Sequence, residues 1–419
     1  MLQEEYIAKI EGHGKLNIDY KNQKANLIID ESERLIEGIV LGRPYCDAPF
    51  ITSRICGVCP IAHNLASITA LENALKISVN RQTEILRKIL LSGQMIQSHA
   101  LHLYFFALGD YLNVDSTLTL AKTRPEIFAS AIKLKTTSDH IADVIGGRNV
   151  HPTTTVAGGF LKIPDKTKLE KLLEECQDVF IHALKTVKLF LSFTYPDFQK
   201  VTKYLALSSA RGYATISDTV ETSNSLAFKV KNYTKYVKEK VINGMPAKVS
   251  TLQGNNFMVG ALARLSLHSS RLNPKAKELF RESLNKIGAF PAFNSFHNNF
   301  AQSIEIVHFL EEAMNLIKKL LNDKNYKYIP PVDFKIRACY GFGAIEAPRG
   351  ILYHFYELDK SGKIKNCNII TPTAQSLNNL SEDANELLKQ FARYSKDRQS
   401  KLVEQLIRAY DPCITCSVH

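Results

Sequence analysis

The sequence lacks any apolar run approaching the roughly 20 residues that a membrane-spanning helix needs. Its strongest candidate, LHLYFFALG, is far too short, so no direct membrane insertion is expected. The opening MLQEEYIAKIEGHGK has neither the basic stretch nor the apolar core of a secretory signal. A cytoplasmic protein is the expectation, although export alongside a signal-bearing partner would leave the same sequence. No repeat, low-complexity tract or Pro/Ser-rich linker divides the chain, and 1–419 reads as a single domain. The net charge is +12, but the lysines are spread along the whole chain and form no compact stripe with interleaved aromatics. No nucleic acid is expected as a partner. A solvated basic surface, or an anionic cofactor or partner, accounts for the charge as well.

What is present is the composition of a soluble globular protein, 45% hydrophobic and 22% charged, long enough to bury a large core. Eight cysteines in so long a chain, without a signal, argue against a disulfide framework. Cys46, Cys176, Cys339 and Cys367 are isolated and read as small buried hydrophobes. The other four form two C-x-x-C pairs, Cys56 and Cys59 in RICGVC and Cys413 and Cys416 in DPCITC. That spacing lets two thiolates converge on one metal.

The hydropathy pattern predicts a mainly α chain with small β-sheets (α+β). Residues around KNQK alternate apolar and polar on both sides and read as an antiparallel hairpin or small sheet. From Pro60 the pattern becomes helical. Ile85, Ile89, Gly93, Ile96 and Leu103 form one stripe, and helical periodicity continues at 124–145, 166–194, 271–287, 300–323 and 380–409. Long helices of this kind pack as a bundle. Strands return late in the chain: DFKIRACYGFGAIEAPRG reads as strand and loop, and GILYHFYEL-DKSG-KIKNCNIIT as a hairpin. The expected architecture is a central long-helix bundle with sheets built near both chain termini. If both C-x-x-C pairs bind one centre, those ends must meet there.

Spacing alone leaves the metal open. Zinc ribbons separate their pairs by roughly 15–20 residues, whereas about 350 intervene here, which excludes a local ribbon. A long-range zinc clamp, an iron–sulfur cluster and a catalytic soft-metal site stand about equally. Neither pair sits in a thioredoxin-like strand-to-helix unit.

The flanking residues break the tie. RICGVCPIAH and DPCITCSVH resemble the two signature motifs of NiFe-hydrogenase large subunits, R-x-C-G-x-C-x-x-x-H and D-P-C-x-x-C-x-x-H, at every fixed position. The resemblance extends to IEGHGK, RLIEGIVLGRP, GGRNVHP, EAPRG and TPT. In length and motif style the chain is most similar to the cytoplasmic NAD(P)-linked, sulfhydrogenase-like or deazaflavin-reducing members. The homologous quinone-binding subunit of respiratory complex I lacks the four cysteines. A membrane-associated energy-converting hydrogenase is the nearer alternative, and a non-enzymatic zinc-clamped structural protein the more distant one.

The resemblance implies reversible heterolytic cleavage of dihydrogen at a Ni-Fe centre whose iron carries carbon monoxide and cyanide. By position, Cys56 and Cys413 would be terminal nickel ligands, and Cys59 and Cys416 would bridge to iron. Glu11 matches the glutamate that relays protons away from a terminal cysteine; read alone, it would satisfy backbone donors in a glycine turn. Arg349 matches an arginine held over the open side of the metals, with Asp411 as its acid. Thr373 would hydrogen-bond a cyanide, Pro348 and Pro372 would pack the pocket, and His63 would donate toward a cysteine sulfur.

A Mg2+ ion would be held by Glu37, His419 and a backbone carbonyl near Ile369. The family pattern before that glutamate is R-G-x-E, and Leu35 replaces its glycine, which puts the local backbone in question. Ser98 stands where many longer relatives have an aspartate. His99, on an apolar stripe, reads as a core histidine. The scattered remaining cysteines provide no second cluster to carry electrons away. The resemblance therefore implies an obligate iron–sulfur small subunit, further flavin or NAD(P)-binding subunits, and a maturation endopeptidase if the precursor carries an extension.

Overall fold

A computed structural model describes residues 2–114, 116–210 and 212–419. Strands Gly14–Asp19 and Lys24–Ile29 pair around the KNQK turn, and Leu2–Tyr6 adds a third antiparallel strand. Leu16, Ile18, Ala25, Leu27 and Ile29 are buried at alternate positions, so this sheet lays one face on the core.

A second three-stranded antiparallel sheet comprises Cys339–Ala347, Gly350–Leu358 and Ile364–Ile370. Ala347 pairs with Gly350, which makes Pro348 and Arg349 the two-residue tip of a hairpin. The sheet thus carries Arg349 on a short, stiff support.

Between these sheets lies the helical centre. Helices Arg81–Leu101, Pro125–Gly146, Lys166–Ser192 and Asn298–Leu321 pack in a ring, each touching two others. Asn80 and Asp165 cap two of them by accepting from the Thr83 and Lys168 amides. Ile85, Ile89, Ile96 and Leu103 of the predicted stripe are all buried.

Of the four isolated cysteines read as buried, only Cys176 is: Cys46 is exposed, and Cys339 and Cys367 are half-buried. Three features of the backbone also differ from the sequence reading. The first helix of the ring continues past Leu101 as a π-helical stretch, His102–Ala107, which turns His102 inward. The periodic stretch at 380–409 is two helices, Pro372–Gln390 and Lys396–Ala409, the second capped by Ser395 accepting from the Arg398 amide. Small sheets also occur mid-chain: Leu205–Ser208, Thr219–Thr222 and Ala227–Lys229 form one, Val237–Lys240 and Val249–Leu252 another. These strands have only three or four residues each, too few for alternation to register.

The glycines of CYGFGAIEA have a packing reason. Helix Pro60–Leu75 lies directly on the strand that carries them. A Cβ on Gly341 would come within 2.4 Å of Ala70 O, and one on Gly343 within 2.6 Å of Ala66 O. Small residues on both sides bring helix and sheet into backbone contact. The helix begins at Cys59 and the strand leads to Arg349, so this contact fixes the first cysteine pair relative to the arginine.

Candidate metal centre

Cys59 is the N-cap of helix Pro60–Leu75, and Cys416 lies in the single turn Ile414–Ser417. The four sulfur ligand atoms lie within 4.8 Å of one another, and all four cysteines are buried. They pair across the chain, Cys56 Sγ to Cys413 Sγ at 3.4 Å and Cys59 Sγ to Cys416 Sγ at 3.2 Å. First cysteine therefore meets first, and second meets second. The Val58 amide donates to Cys56 Sγ at 3.2 Å. Pro372 opens the 19-residue helix Pro372–Gln390, whose positive end faces the cluster together with that of the Pro60 helix. Helix N-termini favour thiolates.

Four thiolates so close in a dry pocket repel one another. Burial pushes the Cys413 and Cys416 thiols well up, whereas hydrogen bonds from Cys413, Cys416 and Cys59 pull Cys56 well down. All four become thiolates together only around a cation, and a buried all-sulfur donor set suits a soft or borderline metal.

Two segments from far apart in the chain seat these cysteines. Glu11 forms a parallel bridge with Cys413, and the Ile414 amide donates to the Glu11 carbonyl at 3.0 Å. Gly12, at φ +83°, makes this approach possible, because a Cβ there would lie 2.7 Å from Ile414 Cβ. Arg34 spans the seam, donating through Nη2 to the Ile55 and Thr415 carbonyls.

The Glu11 carboxylate accepts from the Thr415 amide at 3.1 Å and the Thr415 hydroxyl at 2.5 Å. Burial, followed by the nearby Cys56, raises its pKa, while a hydrogen bond with Cys413 opposes the rise.

On another side, Arg349 donates through Nη2 to Asp411 Oδ1 at 2.6 Å, through Nε to the Asp411 carbonyl at 2.7 Å, and through Nη1 to Ser98 Oγ at 3.1 Å. Ser98 thus occupies one arm of the guanidinium. Gln302 Nε2 donates to Asp411 Oδ2 at 2.9 Å, and Gln302 Oε1 meets His102 Nδ1 at 2.5 Å. A small pocket between Arg349 and the sulfurs is lined by Ala347, Pro372 and Thr373. The Thr373 hydroxyl accepts from the Cys413 amide at 2.9 Å, which leaves its own proton to donate. Pro348 holds its ring in the hairpin tip and its carbonyl accepts from Arg264.

His63 Nε2 lies 3.8 Å from Cys416 Sγ, and burial lowers its pKa to about 3. Glu37, Ile369 and His419 also come together: His419 Nε2 meets the Ile369 carbonyl at 2.9 Å and lies 3.9 Å from Glu37 Oε1. Glu37 further accepts from the Ile369 amide at 2.6 Å and from Lys248 Nζ at 2.8 Å. Leu35, where the motif has glycine, takes the left-handed conformation itself, at φ 54° and ψ 34°, just ahead of the Glu37 helix. His151 of GGRNVHP packs back on the first cysteine segment, its Nδ1 3.0 Å from the Ser53 carbonyl.

Sequence reasoning missed Arg264. It is 1% exposed and donates to both Glu305 oxygens at 2.6–2.7 Å, to Glu346 Oε2 at 2.9 Å, and to the Ala347 and Pro348 carbonyls at 3.0 and 2.9 Å. It clamps the strand end that bears Arg349. His99 Nε2 joins the same network at 2.7 Å from Glu305. Lys248 and Glu239, beside Glu37, were missed as well. A lone basic or acidic residue in an unremarkable stretch offers no local signal.

A buried cluster of four cysteine sulfurs, flanked by a raised carboxyl and an arginine, has the donor set of a soft-metal centre. The chain belongs to the nickel-dependent hydrogenase family, whose profile matches residues 34–130 and 229–419. It is the catalytic large subunit of a NiFe hydrogenase, an oxidoreductase acting on dihydrogen, and its buried four-cysteine site supports a Ni-Fe centre. The chain is 34% identical to the alpha chain of sulfhydrogenase 1 of Pyrococcus furiosus, covering 99% of this chain and 97% of that protein. It is 30% identical to a vhu subunit of the F420-non-reducing hydrogenase of Methanocaldococcus jannaschii, covering 89% and 95%. The fold superposes on an NAD+-reducing [NiFe]-hydrogenase in its H2-reduced state with a TM-score of 0.89 at 25% identity, covering 99% and 98%. No helix among the described residues is long and apolar enough to cross a membrane.

Proposed function

We propose that Cys56 and Cys413 are the terminal nickel ligands and that Cys59 and Cys416 bridge to an iron carrying carbon monoxide and cyanide. The observation that carries this reading is the first-to-first and second-to-second pairing of the sulfurs at 3.4 and 3.2 Å. When bound, the Ni-Fe centre supplies the site at which dihydrogen is polarised and split into two protons and two electrons.

The residues around it act on the protons and on the shape of the pocket. Cys413 Sγ holds a proton as thiol, and Glu11, within hydrogen-bond reach of that sulfur, takes it up and passes it outward along the Thr415 side. Arg349 aims a fixed positive charge into the pocket. It is buried, and although burial lowers its pKa, Asp411 and the cysteine sulfurs more than compensate, so it stays charged. The free Thr373 proton donates toward a cyanide, and Pro348 and Pro372 keep water out.

Mg2+ is the second metal of this reading. Its donors are Glu37, the Ile369 carbonyl and His419 Nε2, which already converge. Lys248 brings a competing positive charge to Glu37, and the buried, unpartnered Glu239 Oε1 offsets it.

Electrons leave to an iron–sulfur subunit. Among the described residues only one group of cysteines is close enough to bind a metal, and it is the one already assigned. Gly57 is exposed between the buried Cys56 and Cys59, which supports docking on that face. Further subunits binding flavin or NAD(P), and a cytoplasmic location, complete the proposal.

Purification of the native complex tests it. One nickel and one iron per chain, infrared bands of cyanide and carbonyl, and cofactor-linked hydrogen uptake are expected together. Zinc as the sole metal, or an active, metal-loaded sample without those bands, overturns the assignment.

A further inference from the structure

Behind the second cysteine pair runs a line of four buried polar side chains with no catalytic role in the scheme above. His63 Nε2 faces Cys416 Sγ at 3.8 Å, and His63 Nδ1 meets His354 Nε2 at 3.4 Å. His354 Nδ1 meets the Tyr356 hydroxyl at 3.0 Å, and that hydroxyl meets Ser67 Oγ at 3.0 Å. All four residues are 0% exposed.

The line follows from two periodicities. His63 and Ser67 are four apart on helix Pro60–Leu75, a rise of about 6 Å. His354 and Tyr356 are two apart on strand Gly350–Leu358, a rise of about 6.7 Å on one face. The helix and strand lie in contact, so the pairs match step for step.

Such a chain has two possible polarities. In one, His63 Nε2 presents its lone pair to Cys416 and every proton points toward Ser67. In the other, Ser67 donates to Tyr356, Tyr356 to His354 Nδ1, His354 Nε2–H to His63 Nδ1, and His63 Nε2–H to sulfur. A metal-held thiolate is an acceptor only and repels the first arrangement. It selects the second, with one proton for each link and two neutral imidazoles.

The line ends in buried hydroxyls, so it does not deliver protons to solvent. Glu11, only half-buried, remains the way out. We propose that His354 and Tyr356 are positioning residues that lock His63 in the tautomer donating to Cys416 Sγ, thereby drawing electron density from that thiolate. This rests on the reading of Cys416 as a ligand of the Ni-Fe centre.

The test uses the assembled complex carrying Tyr356→Phe, which removes only the hydroxyl, or His354→Leu, which removes the link. Nickel and iron content, the nickel electron paramagnetic resonance signal and the infrared bands of the iron ligands are compared with the unaltered complex. With metals retained, a more electron-rich thiolate moves the carbonyl band to lower wavenumber and displaces the nickel g-values, more for His354→Leu than for Tyr356→Phe. Unmoved bands and g-values in a fully metallated Tyr356→Phe complex overturn the proposal, even if His354→Leu fails to assemble. If the unaltered complex shows the nickel signal without carbonyl bands, the iron-ligand reading fails separately, and the g-values alone decide the role of the chain.

Discussion

Arg349 grips a single residue with two arms: Nη2 donates to the Asp411 carboxylate at 2.6 Å and Nε to the Asp411 carbonyl at 2.7 Å. Asp411 in turn sits at φ 52°, immediately before Pro412 and Cys413. One guanidinium thus ties the hairpin tip to the backbone that aims a sulfur.

Arg349→Lys keeps the charge but cannot make both contacts, since an ammonium is a point donor and lacks the planar fork. Hydrogen uptake by the complex is expected to fall about 10²-fold, the scale for losing one aligned electrostatic contact. Nickel and iron content stay unchanged. Full activity in the lysine variant removes the proposed role.

Glu11→Gln keeps one oxygen to accept from the Thr415 amide and turns an NH2 donor toward the Thr415 hydroxyl, but it takes no proton. A loss of about 10²–10⁴-fold in hydrogen uptake is expected, with the metals intact. Glu11→Asp retains part of the rate. Uptake equal to that of the unaltered complex would place the proton path elsewhere.

Leu35 pays the left-handed penalty with a side chain that is 60% exposed and so recovers little by burial. Leu35→Gly removes a steric cost of about 1–2 kcal/mol, against a smaller cost from the extra conformational freedom that glycine gives the unfolded chain. The variant is expected to melt slightly higher than the unaltered chain. A lower melting temperature would show that the leucine makes contacts worth more than its strain.

Burial pushes the Glu346 carboxyl up to about 7 from 4.5, against the pull of Arg264. Between those values the folded chain keeps a proton that the unfolded chain has released. Stability from this site is therefore full below about pH 4.5, falls as pH rises to about 7 and is flat beyond. Thermal midpoints across that window should drop more steeply for the unaltered chain than for Glu346→Gln. Parallel curves would show that Glu346 does not titrate there.

Gly343→Ala drives a methyl into the backbone of the Pro60–Leu75 helix, 2.5 Å from Ala70 N. Overpacking of this kind costs about 1–3 kcal/mol. Because the same helix starts at Cys59, nickel content is expected to fall along with the melting temperature. An unchanged metal content would separate the packing from the site.

The parts legible in the sequence were those with fixed local spacing. The C-x-x-C pairs announce two sulfurs each, and the alternation around KNQK and DKSG announces hairpins because both partners lie side by side in the chain. The glycines at 341 and 343 were visible, but their reason was not, since it lies in Ala66, Ala70 and Ala74 of a distant helix. Arg264, Gln302, His354 and Tyr356 were silent for the same reason: each acts across a contact that exists only after packing. The divided helix at 391–395 was missed because both halves share an apolar period.

Cys56 and Cys413 are 357 positions apart. A metal held by both closes a loop of that length, and in the chain-entropy account such a crosslink removes about 5–6 kcal/mol of freedom from the unfolded ensemble. Stripping the metal therefore does more than silence a reaction. It would reopen a ring that takes in most of the chain, so that the cofactor also serves as a long-range structural crosslink.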